Sequence, residues 1–269
     1  MNNTSGARRH RTAAQLEPKI IKGPKGRLIG ADIRHYTRVT STMDVAGQLA
    51  REGVREGTTI LADEQTEGRG RMGRQWLSHA GQSMSLSVIL HPTMGQLAQL
   101  NMVASLATVR SITEVTGLKP VIKWPNDILL SGRKVSGILI ENIFDGPALK
   151  AAVVGIGINV NLEPSSFPEI AAIATSLLIE AGGSVSPQLL TDRLLHELDG
   201  LYRQLRCTGT VYDAWIPLVE TIGRRVRVRL GDGIEEGYAD SVDVNGSLIL
   251  RRPDGTKLTL YAGEVTSHI

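Results

Sequence analysis

Apolar positions along the chain switch several times between helical and strand spacing. Hydroxyl residues Thr40, Ser41 and Thr42 precede Met43, Ala46, Leu49 and Ala50 at helical intervals, and Gly53 follows, which predicts a short capped helix. Residues 58–62 read as a buried strand. Residues 84–90 read as a second one, in which Ser85 and Ser87 alternate with apolar neighbours. The spacing of Leu97, Leu100, Val103, Ala104, Ala107 and Ile112 predicts one long helix over 96–116, closed by Gly117. Strands are then predicted at 121–124, 127–130, 135–143 and 151–160. A helix followed by four strands joined through tight turns argues for an α/β (α+β) fold. Its sheet should be mixed, with flanking helices, rather than regularly doubly wound.

The flanks are less regular. Residues 1–15 read as a disordered tail, and 19–33, broken by Gly23, Pro24 and Gly26, show no sustained period. Residues 161–186 are irregular as well. An apolar stripe through Leu190, Leu194, Leu198, Leu201 and Leu205 predicts a helix over 187–206, with a further short helix at 211–219. From Gly223 the composition changes: Val226, Val228 and Leu230 alternate with arginines, and Asn245-Gly246 and Asp254-Gly255 mark turns. Four or five short strands in this stretch predict a small β-barrel. The expected organisation is an irregular segment at 1–37, a catalytic domain at 38–222 and a small C-terminal domain at 223–269.

Composition narrows the function classes. With 269 residues and 41% hydrophobic content the chain can bury a sizeable core. A single cysteine, Cys207, excludes a disulfide framework or a cysteine zinc site and suits a reducing, cytoplasmic setting. No apolar run approaches the roughly 20 residues of a membrane span. Net charge is only +3, so the local concentration of arginine at 8–11, 69–74 and 224–229 matters more than the total.

The densest of these clusters is Gly68-Arg69-Gly70-Arg71-Met72-Gly73-Arg74. Its glycines match G-x-G-x-x-G, but no amphipathic helix opens after it and no acidic residue follows roughly 20 positions on, so a dinucleotide fold is not indicated. It reads instead as a mobile loop whose backbone can wrap a ligand while Arg69, Arg71 and Arg74 offer forked donors to carboxylate or phosphate. A second constellation, Lys123-Trp124-Pro125-Asn126-Asp127, groups a cation, an amide and a carboxylate between two strands, as a magnesium–phosphate site requires. Lys134 heads the strand containing Gly137, and Gly155 and Gly157 interrupt another. Bare backbone inside apolar strands implies a neighbour or ligand pressed against it.

Ser41-Thr42, 68–74, 123–127, Lys134 to Glu141 and Gly155 to Asn161, in this order and ahead of a small barrel, resemble the biotin protein ligases of the monofunctional type. The likeness runs from about residue 38 to the end. It implies a core similar to the class II aminoacyl-tRNA synthetases followed by an SH3-like domain. It also implies a reaction in which biotin and ATP form biotinyl-5'-adenylate with release of pyrophosphate, after which a lysine of a biotin carboxyl carrier domain takes the biotinyl group. Ser41, Thr42, Gln65, Gly68, Arg69, Arg71, Lys134 and Gly137 would then bind biotin. Arg71, Arg74, Asn126, Asp127, Lys134 and Asn159 would bind ATP or the adenylate, with Asp127 and Asn126 also taking magnesium. Lys134, Arg71, Arg74, Lys123 and Asp127 would serve the chemistry, Asp127 additionally helping to deprotonate the acceptor lysine.

Two features depart from the family pattern. Met43 stands where a polar residue often follows Ser-Thr, and the first 37 residues are too short and too interrupted for the winged helix-turn-helix of bifunctional members. No operator DNA binding is therefore expected. No membrane association and a monomer or weak homodimer are expected as well. A lipoate ligase of shared core fold is the second reading. An Arg-Gly nucleic-acid-binding module is the third, disfavoured because aromatic residues make up only 4% and none interrupts the Gly-Arg stretch.

Overall fold

A computed structural model describes residues 17–231 and 233–268; the tail expected over 1–15 lies outside the described residues. Strands β1 (Lys19–Lys22), β2 (Asp32–Val39), β3 (Thr59–Gln65), β4 (Ser83–Leu90), β5 (Val121–Lys123), β6 (Asp127–Leu130), β7 (Arg133–Asp145) and β8 (Ala148–Asn159) form one sheet in the order β1-β2-β3-β4-β8-β7-β6-β5. Only β2 and β3 run parallel; every other neighbouring pair is antiparallel. The expected mixed sheet is what forms, with 19–37 as the exception, since β1 and most of β2 occupy a stretch read as irregular. The physical reason lies in β2. Its buried residues Ile33, Tyr36 and Val39 fall three apart, which hides a strand from any alternation test, and pairing with β1 and β3 supplies the structure.

Both faces of this sheet are covered. Helix α1 (Thr42–Arg51) packs on one face, where Met43, Val45, Ala46 and Ala50 meet Ile60, Ile89 and Val153. On the other face α3 (Leu100–Thr116), preceded by α2 (Met94–Leu97), buries nearly its whole circumference against Leu86, Val88, Ile138 and Ile156. Double coverage explains why every residue of β4 is buried and why Ser85 and Ser87 bond to partners inside the protein. Small residues on α3, including Ala104, Ser105, Ala107 and Ser111, let α5 (Pro187–Thr208) lie close against it; α4 (Leu177–Ala181) precedes α5 in the chain.

The single helix expected over 96–116 is split. A Thr93–Gln96 capping box starts the short α2, and at the break the Gln99 side chain binds the chain ahead of α6 (Tyr212–Trp215). It takes Val211 N at 3.1 Å and gives to Gly209 O at 3.1 Å. The predicted stops hold: Gly53 and Gly117 sit at φ 81° and 74°, conformations that side chains with a Cβ resist.

After a linker, β9 (Arg225–Leu230), β10 (Gly233–Val242), β11 (Leu248–Arg251), β12 (Lys257–Leu260) and β13 (Glu264–His268) form an antiparallel sheet ordered β12-β11-β10-β9-β13. Its inner residues Val226, Val228, Leu248 and Val265 belong to the same core cluster as α3. Trp124 Nε1 donates to Gly246 O at 2.8 Å and Tyr212 Oη to Val242 O at 2.7 Å, further joining the two sheets.

A second anchor ties residues 28–29 to α5. The Asp199 carboxylate accepts Leu28 N at 2.8 Å, Ile29 N at 2.9 Å and Arg203 Nε at 2.9 Å. Replacing Asp199 with alanine strands buried backbone donors, and chemical denaturation should report a loss of about 1–3 kcal/mol. A midpoint equal to that of the unaltered protein would show that solvent satisfies these amides.

Candidate active site

The sheet supports a cavity of about 640 Å³, within the range usual for small-molecule sites. One end is polar and uncharged. Ser41 caps α1 with its hydroxyl accepting Met43 N at 3.2 Å, as the sequence predicts, and Gln65 at the end of β3 reaches the same helix start. Gln65 Oε1 accepts from Thr42 N at 2.7 Å and Thr42 Oγ1 at 3.0 Å, while its Nε2 donates to Ser85 Oγ at 3.1 Å. Ser87 Oγ donates to Thr42 Oγ1 at 2.8 Å, and Ser78 and Ser85 share a bond of 2.9 Å. A buried network of this kind fixes each rotamer, because every broken link strands a polar group. Ser85 lines the cavity and was not among the expected site residues; the hydroxyls set into an apolar strand were the signal that could have found it.

The other end is cationic. Lys123 ends β5, Asp127 begins β6, and the turn between them contains a cis Trp124–Pro125 bond. Asp127 Oδ1 lies 2.6 Å from Lys134 Nζ on β7. Asn126 is held at both ends of its amide: Nδ2 donates to Ile138 O at 2.7 Å and Oδ1 accepts Arg71 Nη1 at 2.7 Å.

The Gly-Arg stretch is a folded hairpin. Trp76 N donates to Gly68 O at 2.8 Å, Gly70 N donates to Arg74 O at 2.7 Å, and Met72 stands at the exposed tip with φ 55°. Its arginines diverge. Arg69 forks onto Glu141 at 2.8 and 2.9 Å and meets Asp44 at 3.0 Å, Arg71 turns inward to Asn126 and to Gly263 O at 3.0 Å, and Arg74 pairs with Glu264 of β13. Burial lowers the Arg71 guanidinium from its ordinary value against the opposing pull of Asp127 and Glu264, and it remains a cation at neutral pH. For Glu264, burial works against the charge. The Arg74 bond and the charges of Arg74, Lys123 and Arg229 nonetheless hold its carboxyl below the usual range.

The strand glycines have their neighbours. Gly137 and Gly157 are register partners on β7 and β8, and the Trp76 indole lies across them. A Cβ on Gly157 would run into the indole, and one on Gly137 would sit 3.1 Å from Lys134 Nζ and 3.3 Å from the Trp76 ring. Lys134 Nζ lies 5.7 Å from the ring centroid, and Trp76 Nε1 is buried without a hydrogen-bond partner among the described residues. Gly155 gives its space to the Met43 thioether. Trp76 was not among the expected site residues.

Of the residues expected to form the site, Gly68 alone does not line the cavity. It allows the close approach of the Trp76 carbonyl and the Gln65 amide that closes the hairpin. Asn159 lines the wall and donates from Nδ2 to Thr175 O at 3.0 Å. No cluster of three or more His, Cys, Asp or Glu side chains suited to a metal occurs among the described residues. One carboxylate, Asp127, beside one amide fits magnesium held mainly by nucleotide phosphates and water, which is how that ion is commonly bound.

A cavity with a hydrogen-bonding end, a cationic end and an aromatic floor defines a protein that binds a polar, anionic small molecule. Residues 36–159 match the model for the Biotin/lipoate A/B protein ligase family, and residues 221–266 match that for the Biotin protein ligase C terminal domain. The chain belongs to the biotin protein ligase family. It is 35% identical over 254 residues to the Bifunctional ligase/repressor BirA of Bacillus subtilis (strain 168), covering 93% of this chain and 78% of that protein. It is 35% identical over 241 residues to the Biotin--[acetyl-CoA-carboxylase] ligase of Paracoccus denitrificans, covering 85% and 97%. The solved structure of the biotin protein ligase from Aquifex aeolicus in complex with biotin and ATP superposes with a TM-score of 0.74 at 29% identity, covering 87% of this chain and 97% of that one. The fold expectation is thereby borne out. Among the described residues no helix is long and apolar enough to cross a membrane.

The contact between Trp76 and Gly157 makes a local prediction. Gly157→Ala forces the indole off the floor, which should shift the tryptophan emission spectrum and cost about 1–3 kcal/mol of stability, as overpacking typically does. Unchanged emission would mean that the ring does not rest on this glycine.

Proposed function

We propose that the protein activates biotin with ATP and passes the biotinyl group to a lysine of a biotin carboxyl carrier domain. The carrying observation is the convergence of Lys134, Asp127 and Arg71 at one end of a cavity whose other end is the Thr42–Gln65–Ser85 network. Family membership agrees with this assignment.

In the first step a biotin carboxylate oxygen attacks the α-phosphorus of ATP, the bond to the β-phosphate oxygen breaks, and pyrophosphate leaves. Two anions must approach, so Lys134 and Arg71 offset the charge that builds between them, while Arg74 and Lys123 face the departing phosphates. Asp127 with Asn126 would hold magnesium, which neutralises phosphate charge when bound. Ser41, Thr42 and Gln65 would hydrogen-bond the biotin rings under the backbone of Gly68 and Arg69, and the bare backbone at Gly137 would take the valeryl chain once Trp76 yields. Asn159 would face adenine. In the second step a neutral lysine amine, its proton drawn off with help from Asp127, attacks the acyl carbon. The acyl–oxygen bond breaks and AMP leaves.

A monomer or weak homodimer working in the cytoplasm without operator recognition completes the reading. Lipoate is the competing substrate, and the assay separates them. Pyrophosphate release with ATP and magnesium should depend on biotin and not on lipoate, and Lys134→Ala should slow it about 10²- to 10³-fold. Release driven by lipoate, or by neither acid, would overturn the assignment.

Closure of the hairpin over ligand keeps water from the mixed anhydride. Limited trypsin digestion should therefore cut at Arg71 and Arg74 more slowly with biotin and ATP present than without. Equal cutting would refute closure.

A further inference from the structure

Between β8 and α4 the chain runs beside the cavity and rejoins the sheet next to Lys134, at a point that β8 does not reach, since β7 pairs with β8 only from Ser136 onward. Lys134 N donates to Ile173 O at 2.8 Å and Thr175 N donates to Lys134 O at 2.9 Å, a parallel bridge that stands in for the missing strand. The Thr175 carbonyl in turn accepts Asn159 Nδ2 at 3.0 Å. One fully buried residue thus bonds the main chain of Lys134 and the side chain of Asn159, which lie on adjacent strands.

Thr175 has its own anchor. Its hydroxyl donates to Glu180 Oε1 at 2.7 Å, and Glu180 also accepts Ser131 Oγ at 2.7 Å and Arg133 Nη2 at 3.0 Å. Ser131 lies in the β6–β7 turn and Arg133 begins β7 directly ahead of Lys134. Burial opposes the Glu180 charge, yet the bonds from Thr175, Ser131 and Arg133 hold its carboxyl below the usual range, so it accepts from all three donors at neutral pH. A carboxylate and a threonine outside the cavity lining therefore fix two residues on its wall from behind.

We propose that Glu180 and Thr175 are positioning residues for adenylate formation, setting the register of Lys134 and Asn159 through the segment 173–175. This rests on Lys134 serving the reacting anions. Neither residue touches substrate. Their effect falls on alignment, where a displacement of about 1 Å can cost up to 10²-fold in rate. The biotin-ring residues Ser41, Thr42 and Gln65 sit at the start of α1 and the end of β3, outside this network, so binding of the ring system should be spared.

Thr175→Val removes the hydroxyl and keeps the shape, whereas Thr175→Ser keeps the hydroxyl and loses the methyl. In steady-state pyrophosphate release, Thr175→Val should lower kcat about tenfold with a distinctly smaller rise in KM for biotin, and Thr175→Ser should recover most of kcat. Glu180→Gln, which keeps an acceptor and loses the charge, should fall between them. Hydrogen exchange at residues 133–137, read by mass spectrometry without substrate, should quicken in Thr175→Val and not in Thr175→Ser. That readout holds even if the acid activated is not biotin, so failure of the positioning role and failure of the assigned reaction are distinguishable. Equal loss in the valine and serine variants, unchanged exchange, or a rise in KM for biotin matching the fall in kcat would overturn the proposal.

Discussion

The ion pair between Lys134 and Asp127 is the contact on which the site depends, because it fixes a cation on the wall of the cavity. A half-buried ammonium is costly without compensation. The fold supplies the compensation from three directions. Asp127 comes from the hairpin at the sheet edge, the Trp76 ring stands 5.7 Å away, and the main chain of Lys134 is held by the segment at 173–175. None of these is adjacent in sequence to another. The sheet order, which ends β8-β7-β6-β5, brings them together by placing the hairpin beside β7 and leaving the start of β7 uncovered by β8.

The same arrangement imposes glycine on two strands. An indole can lie flat on a sheet only where side chains are missing on that face, and the register pairs Gly137 with Gly157 directly across β7 and β8. Glycine weakens a strand by roughly 0.5–1 kcal/mol relative to alanine. The two strands offset this by length, with 13 and 12 residues, and by a long shared ladder, so the weak point sits inside the most extensive pairing of the sheet. Trp76 itself belongs to the Gly-Arg hairpin, and any movement of that hairpin must carry the floor of the cavity with it.

These features were unequally legible in sequence. Ser41 announced itself as a cap because capping is local, and Gly53 and Gly117 announced the ends of helices for the same reason. The glycines of β7 and β8 signalled close neighbours correctly, but for Gly137 and Gly157 the neighbour sits on a hairpin some 60 to 80 positions earlier, so Trp76 could not be named from spacing. Strand β2 was hidden because its buried residues recur every third position, and the break at Gln99 was hidden because a buried amide serving a distant loop leaves no periodic trace. Lys134, Asp127, Asn126, Arg71 and Arg74 were found together through resemblance as much as chemistry. Nothing in their spacing says that one arginine faces inward and another pairs with the last strand.

That divergence of the arginines changes how the Gly-Arg stretch should be understood. A flexible cationic loop would present its charges to any anion, whereas here each guanidinium has a separate anchor on a separate element: Glu141 and Asp44 for Arg69, Asn126 and Gly263 for Arg71, Glu264 for Arg74. The hairpin thus spans both sheets, with its base on α1 and β7 and its far side on β13. Glu264 lies among Arg74, Lys123 and Arg229, so it keeps its charge below the ordinary carboxylate range and remains available to pair. Two cations of the cavity are already engaged by carboxylates, Lys134 by Asp127 and Arg74 by Glu264, whereas Arg71 rests on the Asn126 amide and the Gly263 carbonyl. Arg71 and Arg74 thereby tie the hairpin to the C-terminal sheet at Gly263 and Glu264, and the Asn126 contact of Arg71 carries the same hairpin to the turn that leads into Asp127, the partner of Lys134.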